Sequence, residues 1–242
     1  MKAMILAAGL GTRLRPLTDS APKCLMQAGG KTLLEHTVER LKRAGVTAVV
    51  INLHHLAEAI KEFVRRQGNF GIEVAFSEER ELLDTGGGLK KAAAFFSGES
   101  EFILHNADVY TEVELSRVVQ FHASKKALAT LVVMERPSSR RLLFASNGDL
   151  IGHENSSSGK RVLVRDESSL RSFAFSGIHI LSTDLFRFMQ GQGDKFSIID
   201  TFLDAAKQGA RIQGWSLGKE FWIDIGSEEK LKALRKRLGE DV

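Results

Sequence analysis

The sequence predicts a single three-layer α/β domain built on a mostly parallel mixed central sheet. Short continuous apolar runs at residues 3–8, 46–53 and 102–105 suit strands buried on both faces. Segments with apolar positions at helical spacing lie between them. That alternation predicts a parallel sheet covered by helices on both sides. Between residues 135 and 171 the rhythm breaks into short polar stretches, which read as a small β-rich insertion.

Along the chain, Ala3-Met4-Ile5-Leu6-Ala7-Ala8 is the first strand, ended by Gly9 and a loop of Gly, Thr, Arg and Pro that runs to Pro22. Thr32 can cap a helix whose Leu33, Leu34, Thr37, Val38 and Leu41 keep helical spacing, with Gly45 ending it. Residues 46–53 form the second strand, 56–66 an amphipathic helix and 72–76 a third strand. A helix over 88–96 precedes the strand at 102–105, and 128–134 continues the sheet. Asn147-Gly148-Asp149 marks a turn and Ser156-Ser157-Ser158-Gly159 a flexible loop. Strand 174–181, helix 198–208, strands 211–217 and 221–225 and a basic helix over 227–238 complete one domain, 1–242. Its nucleotide-binding part is expected over about 1–134 and the remainder over 135–242.

Composition narrows the function. With 43% hydrophobic and 26% charged residues the chain is an ordinary soluble one, and a net charge of +4 suits a protein that handles several phosphates. The basic residues are scattered. Their densest run, 232–237, reads as a solvated helix face, so no nucleic-acid partner is expected. Cys24 is the only cysteine, which rules out an intrachain disulfide and a cysteine-rich metal site. The apolar stretch at the start is about six residues, shorter than a signal-peptide core. No later segment nears the roughly 20 apolar residues of a membrane span. A cytoplasmic protein without a membrane partner is expected.

The chemistry concentrates in Gly9-Leu10-Gly11-Thr12-Arg13 and, ten residues on, Lys23. A loop directly after a buried parallel strand lies at the carboxyl edge of the sheet, where open α/β folds bind ligands. Glycines let backbone N–H groups approach an anion, Arg13 offers a planar fork and Lys23 a compact charge, which together suit a polyphosphate. A P-loop is excluded because no Gly-Lys-Ser/Thr follows, and Leu14 stands where a dinucleotide fingerprint needs glycine. Three glycines in Thr85-Gly86-Gly87-Gly88 before a helix read as an anion or close-approach site. Asp108, after the apolar Phe102-Ile103-Leu104-His105-Asn106-Ala107, and Asp224, inside the apolar Trp222-Ile223-Asp224-Ile225-Gly226, are carboxylates that need a partner or a metal.

These motifs, in this order, resemble those of the sugar-1-phosphate nucleotidyltransferases, whose G-x-G-T-R…P-K signature the first loop matches. The resemblance covers nearly the whole chain. It implies a Rossmann-like fold, an insertion that binds the sugar, and Mg²⁺ held by Asp108 and Asp224. Arg13 and Lys23 would be catalytic, and Ala7, Ala8, Gly9, Gly11, Thr12, Arg13, Thr85, Gly86, Gly87, Gly88 and Asn106 would bind the nucleotide. Lys23, Ser176, Gly177 and Asn155 would bind the sugar phosphate, Asn155 with help from Lys160 or Arg165. Three departures stand out. Ala107 replaces a usual glycine, Cys24 a usual proline, and Gly152-His153-Glu154-Asn155 the Glu-Lys-Pro motif.

The implied partners are a nucleoside triphosphate, UTP favoured, and a sugar-1-phosphate. Among short relatives the motifs look most like the N-acetylmuramate α-1-phosphate uridylyltransferases of cell-wall recycling. GTP- or dTTP-dependent enzymes for mannose-, heptose- or glucose-1-phosphate stand beside them. So do a phosphocholine cytidylyltransferase and a non-catalytic nucleotide-sugar sensor, in a monomer or a homodimer. His54, His55 and His105 lack the companions of a zinc site, and Cys24 lacks a general base to make it a nucleophile.

Overall fold

A computed structural model describes residues 1–241. Strand β1 (Lys2–Leu6) buries Ala3, Met4 and Ile5. After the first loop come a short helix, α1 (Leu17–Ser20), and a two-stranded hairpin, β2 (Gln27–Ala28) and β3 (Lys31–Thr32). Thr32 then caps α2 (Leu33–Arg43). Its hydroxyl accepts from Glu35 N at 3.1 Å while the Glu35 carboxylate accepts from Thr32 N at 2.7 Å. The reciprocal pair satisfies two otherwise orphan donors, and such a cap is worth about 1 kcal/mol. Next come β4 (Ala48–Leu53), buried along its whole length, α3 (Ala57–Arg66) and β5 (Glu73–Glu78).

Helix α4 (Asp84–Lys91) starts four residues before the expected helix over 88–96, and a 3₁₀ turn, Ala93–Phe96, finishes that stretch. The three glycines therefore lie inside the helix, not in a loop before it. Then follow β6 (Glu101–Asn106), β7 (Val109–Thr111), α5 (Leu115–Lys125) and β8 (Ala129–Met134). The polar stretch forms β9 (Arg140–Ala145), β10 (Leu150–Asn155) and β11 (Lys160–Leu163), and leads into the long β12 (Leu170–Ser182). Helix α6 (Ile198–Lys207), β13 (Ile212–Ser216), β14 (Trp222–Asp224) and α7 (Glu228–Arg237) close the chain.

The heart of the sheet is parallel, in the order β5-β4-β1-β6, with Met4 facing Val50 on one side and Leu104 on the other. Antiparallel β12 extends it. One half of β12 pairs β6 and β8, and the other half pairs β9, so the meander β9-β10-β11 widens the same sheet. Strand β13 runs parallel to β8. Apolar clusters fill both faces. Leu89 and Phe202 bring α4 and α6 to one face, and Leu34, Ile60 and Val118 bring α2, α3 and α5 to the other.

A third cluster, with Leu14, Tyr110, Ile225 and Leu231, seats α7 and the β7–β14 pair against the first loop. This small core joins the end of the chain to its beginning. It thereby delivers residues 224–226 to the sheet edge beside residues 108–110.

Candidate active site

The loop after β1 is folded by its own hydrogen bonds. Leu14 N donates to Gly11 O at 2.9 Å, Thr18 Oγ1 donates to Gly11 O at 2.8 Å, and buried Leu14 anchors the far end. Thr12 and Arg13 stay exposed, and the Arg13 guanidinium lies against Gly226, where a Cβ would meet Nη1 at 3.2 Å.

A cavity of about 500 Å³ opens above this loop at the sheet edge. Ala7, Ala8, Gly9, Gly11, Thr12 and Arg13 line it, and so do Lys23, Thr85, Asn106 and Asp108. Ten residues drawn from three separate sequence motifs thus share one wall. The Lys23 ammonium is ion-paired with Asp108 Oδ2. Strand β14 pairs with β7 so that Asp224 faces Val109, and Ile225 N donates to Asp108 O at 2.8 Å. Asp108 directly precedes β7 and Asp224 ends β14, so the two aspartates are backbone neighbours at this edge, with Asp108 lining the cavity and Asp224 outside its lining. Asp224 carries its own cation, Lys230, one helical turn into α7.

Gly177 lies in the left-handed region, with φ 84°. Its lack of a side chain admits Asn106, whose Nδ2 would lie 2.9 Å from a Cβ there. A register shift in β12 between Phe175 and His179 places this glycine. The same irregularity buries Ser176, leaves its Oγ without a partner, and turns its carbonyl to accept from Trp222 Nε1 at 2.8 Å. Ser176 and Gly177 thus stand behind the cavity wall and do not line it.

Four expected site residues sit elsewhere. Gly86 and Gly87 are covered by the chain itself. A Cβ on Gly86 would meet the Phe196 ring at 2.3 Å, and one on Gly87 would meet Asp194 O at 2.0 Å. Their N–H groups donate to Phe196 O at 3.0 and 3.3 Å, so these two glycines offer no free donor to an anion. Gly88 makes room for Glu79, whose Oε1 would lie 2.7 Å from a Cβ. Asn155 ends β10 as a turn residue. Its Oδ1 accepts from Ser157 N at 3.1 Å, away from the cavity. Lys160 faces Asn155 across the hairpin, Arg165 lies 3.8 Å from Asp149, and neither lines the cavity.

The structure adds residues that the motifs did not single out. Buried Asn52, at the end of β4, accepts from Ala7 N at 2.7 Å and donates to Glu79 Oε1 at 2.7 Å. Glu79 Oε2 accepts from Leu83 N at 3.0 Å. Both residues line the cavity, and the network ties β1, β4 and the entry to α4 together. Asn52 had a faint signal as an amide in the apolar run Val49-Val50-Ile51-Asn52-Leu53. Glu79 had none, because Glu78-Glu79-Arg80-Glu81 reads as a solvated run.

Burial also governs Cys24 and three histidines outside the loop. Burial pushes the Cys24 thiol up to about 12. It pushes His105 and His122 down to about 4 and His179 to about 3, so these rings are neutral spacers. No group of three or more His, Cys, Asp or Glu side chains that could hold a metal ion occurs among the described residues. Asp108 and Asp224 remain as two carboxylates, each paired with a lysine.

Compared with known proteins, residues 2–240 fit the family model described as Nucleotidyl transferase. The chain belongs to the nucleotidyl transferase family. Among curated relatives, the N-acetylmuramate alpha-1-phosphate uridylyltransferase of Neisseria meningitidis serogroup B is 31% identical over 99% of both chains. The UTP--glucose-1-phosphate uridylyltransferase of Synechocystis is 29% identical, and this nucleotidyl transferase spans 64% of its length. Among solved structures, HddC from Yersinia pseudotuberculosis complexed with GMP-PN matches with a TM-score of 0.76 at 25% identity, over 98% of both chains. A putative glucose-1-phosphate thymidylyltransferase from Bacillus anthracis shares the fold with a TM-score of 0.82 at 20% identity, covering all of this chain and 96% of the other. No helix among the described residues is long and apolar enough to cross a membrane.

Proposed function

We propose that this nucleotidyl transferase moves a nucleotidyl group from a nucleoside triphosphate to a sugar-1-phosphate and releases pyrophosphate. The observation that carries this reading is the meeting of the first loop, Lys23 and Asp108 in one cavity. UTP is the favoured donor and N-acetylmuramate 1-phosphate the favoured acceptor, since two N-acetylmuramate alpha-1-phosphate uridylyltransferases match along at least 97% of their own length. A role in cell-wall metabolism follows from that acceptor.

The residues fit a magnesium ion. Two carboxylates brought together by the β7–β14 pairing are the hard oxygen donors such an ion takes. Asp108 and Asp224 would hold it, and when bound it would offset charge on the reacting phosphates. The chain's own groups account for the rest. Backbone N–H groups of residues 9–13 and the Arg13 fork hold the leaving pyrophosphate, and Lys23 offsets charge near the α-phosphorus. An acceptor phosphate oxygen forms the new P–O bond as the α–β bridging P–O bond breaks. That oxygen is already anionic at neutral pH, so no side chain has to remove a proton. No histidine lines the cavity among the described residues, and none is required. Catalysis reduces to alignment and charge.

The test is pyrophosphate release with Mg²⁺ from UTP, GTP, dTTP, CTP and ATP against N-acetylmuramate-, glucose-, mannose- and heptose-1-phosphates and phosphocholine. Release that needs one triphosphate and one sugar phosphate together supports the reading. Nucleotide binding with no release across the panel would favour a sensor.

A further inference from the structure

Lys195 is a third cation in the cavity, and the triphosphate does not account for it. It stands beside Asp84 and Thr85 at the start of α4, whereas Arg13 and Lys23 flank the loop after β1. The backbone around Lys195 is fixed. Phe196 N donates to Leu83 O at 3.2 Å, Phe196 O accepts from Gly86 N and Gly87 N, and Ile198 N donates to Thr85 Oγ1 at 3.0 Å. The glycines of α4 allow this embrace, since side chains there would collide with Phe196 and Asp194.

The neighbouring lysines are all engaged. Lys90 donates to Gln192 O at 2.6 Å, Lys91 donates to Glu78 O, and Lys61 pairs with Glu58 and Glu78. Lys195 has no ion-pair or hydrogen-bond partner among the described residues. Three N–H groups at the start of α4 are likewise engaged. The Thr85 N–H is held by Asp84 Oδ1 at 2.6 Å, and the next two N–H groups are held by Phe196 O. Positive charge at this end of the cavity comes from Lys195.

We propose that Lys195 is a specificity-determining residue that binds an acidic group carried by the acceptor in addition to its 1-phosphate. This rests on the sugar-1-phosphate reading above. The phosphates of the donor have Arg13, Lys23 and the first loop, and a nucleobase is uncharged. The anion left for Lys195 is a carboxylate, or another acid, on the sugar. A charge-assisted hydrogen bond to it favours an acidic acceptor by roughly 10- to 100-fold over a neutral one of the same shape.

The experiment compares kcat/KM for N-acetylmuramate 1-phosphate, which bears a lactyl carboxylate, with that for N-acetylglucosamine 1-phosphate, which lacks it. Wild type and the Lys195→Met and Lys195→Glu variants are assayed with UTP and Mg²⁺. Lys195 is exposed, so both variants should fold, and unchanged melting temperatures check this. The expected result is a 10- to 100-fold loss for the acidic acceptor with Lys195→Met and a larger one with Lys195→Glu. The neutral acceptor and the KM for UTP should stay within about threefold. Equal losses on both acceptors, no loss, or a loss confined to the KM for UTP would overturn the proposal. If neither acceptor turns over, calorimetry with UDP-N-acetylmuramate and UDP-N-acetylglucosamine decides the matter separately. Tighter binding of the acidic nucleotide sugar that Lys195→Met abolishes upholds the role of Lys195, and equal binding refutes it.

Discussion

The Lys23 ammonium is ion-paired with the Asp108 carboxylate, 85 positions away in sequence, at the mouth of the loop that follows the first strand. On the proposed function, this pair stores a cation for phosphate against a carboxylate for metal. Bound phosphates and Mg²⁺ would exchange that one contact for two. Lys23→Ala and Asp108→Asn should each lower turnover by on the order of 10²–10³, the usual loss when one electrostatic stabiliser is removed. Steady-state pyrophosphate release measures this, and a near wild-type rate in either variant would remove that residue from the chemistry.

Lys230 plays a different part. It neutralises Asp224 from α7 and does not line the cavity. Removing it leaves the carboxylate freer for a divalent cation, so Lys230→Ala should reach half-maximal rate at a Mg²⁺ concentration several-fold lower, since a nearby like charge disfavours a bound cation. Its kcat at saturating Mg²⁺ should change little. A magnesium titration of the rate would expose the opposite outcome, a higher requirement, which would make Lys230 part of the binding site.

Gly87 meets Asp194 O more closely than any side chain could tolerate. Gly87→Ala should push the 194–197 segment off α4 and cost about 1–3 kcal/mol, the range for overpacking a filled interior. Thermal melting reads the loss. Acceptor KM should rise in the same variant because Lys195 moves with its segment.

Stability should fall as the solution is acidified below pH 6.5. The folded pKa of His105, His122 and His179 is lowered by burial to about 4, 4 and 3 from an ordinary 6.5. Below 6.5 the unfolded chain therefore takes up protons that the native one refuses. The stability they confer is complete above 6.5 and is lost progressively down to the folded values, at up to roughly 1.4 kcal/mol per pH unit for each ring. Denaturant melts from pH 7 to pH 4 test this, and His179→Phe, which keeps a ring beside Phe175 and Phe202, should flatten the slope. An unchanged slope would mean the ring is protonated in the native state.

What was legible in the sequence follows from where burial is strongest. Strands β1, β4 and β6 are covered on both faces, so each reads as an unbroken apolar run, and the α2 start carries its capping pair in plain sight at Thr32 and Glu35. Helix α5 was missed because Glu114 makes no side-chain cap and a buried, neutral His122 interrupts its apolar face. Strand β7 is three residues long and gains meaning only from its pairing with β14. At the site, Asp108 and Asp224 were visible as acids in apolar strands. Glu79, Lys195 and Lys230 looked like ordinary surface charges, since only the tertiary fold buries Glu79, brings Lys195 to the cavity rim and sets Lys230 against Asp224. Asn155 erred in the other direction. It stands where the Glu-Lys-Pro motif is missing and was expected to fill part of that role, but a tight hairpin turn claims its side chain.

The most direct test of the central claim is ³¹P NMR of the protein with UTP, N-acetylmuramate 1-phosphate and Mg²⁺, followed in time beside the Asp108→Asn variant. Pyrophosphate and a new sugar-linked diphosphate should appear together in a one-to-one ratio, with almost neither in the variant. Inorganic phosphate or UMP without the diphosphate sugar, or equal rates in the two proteins, would contradict it.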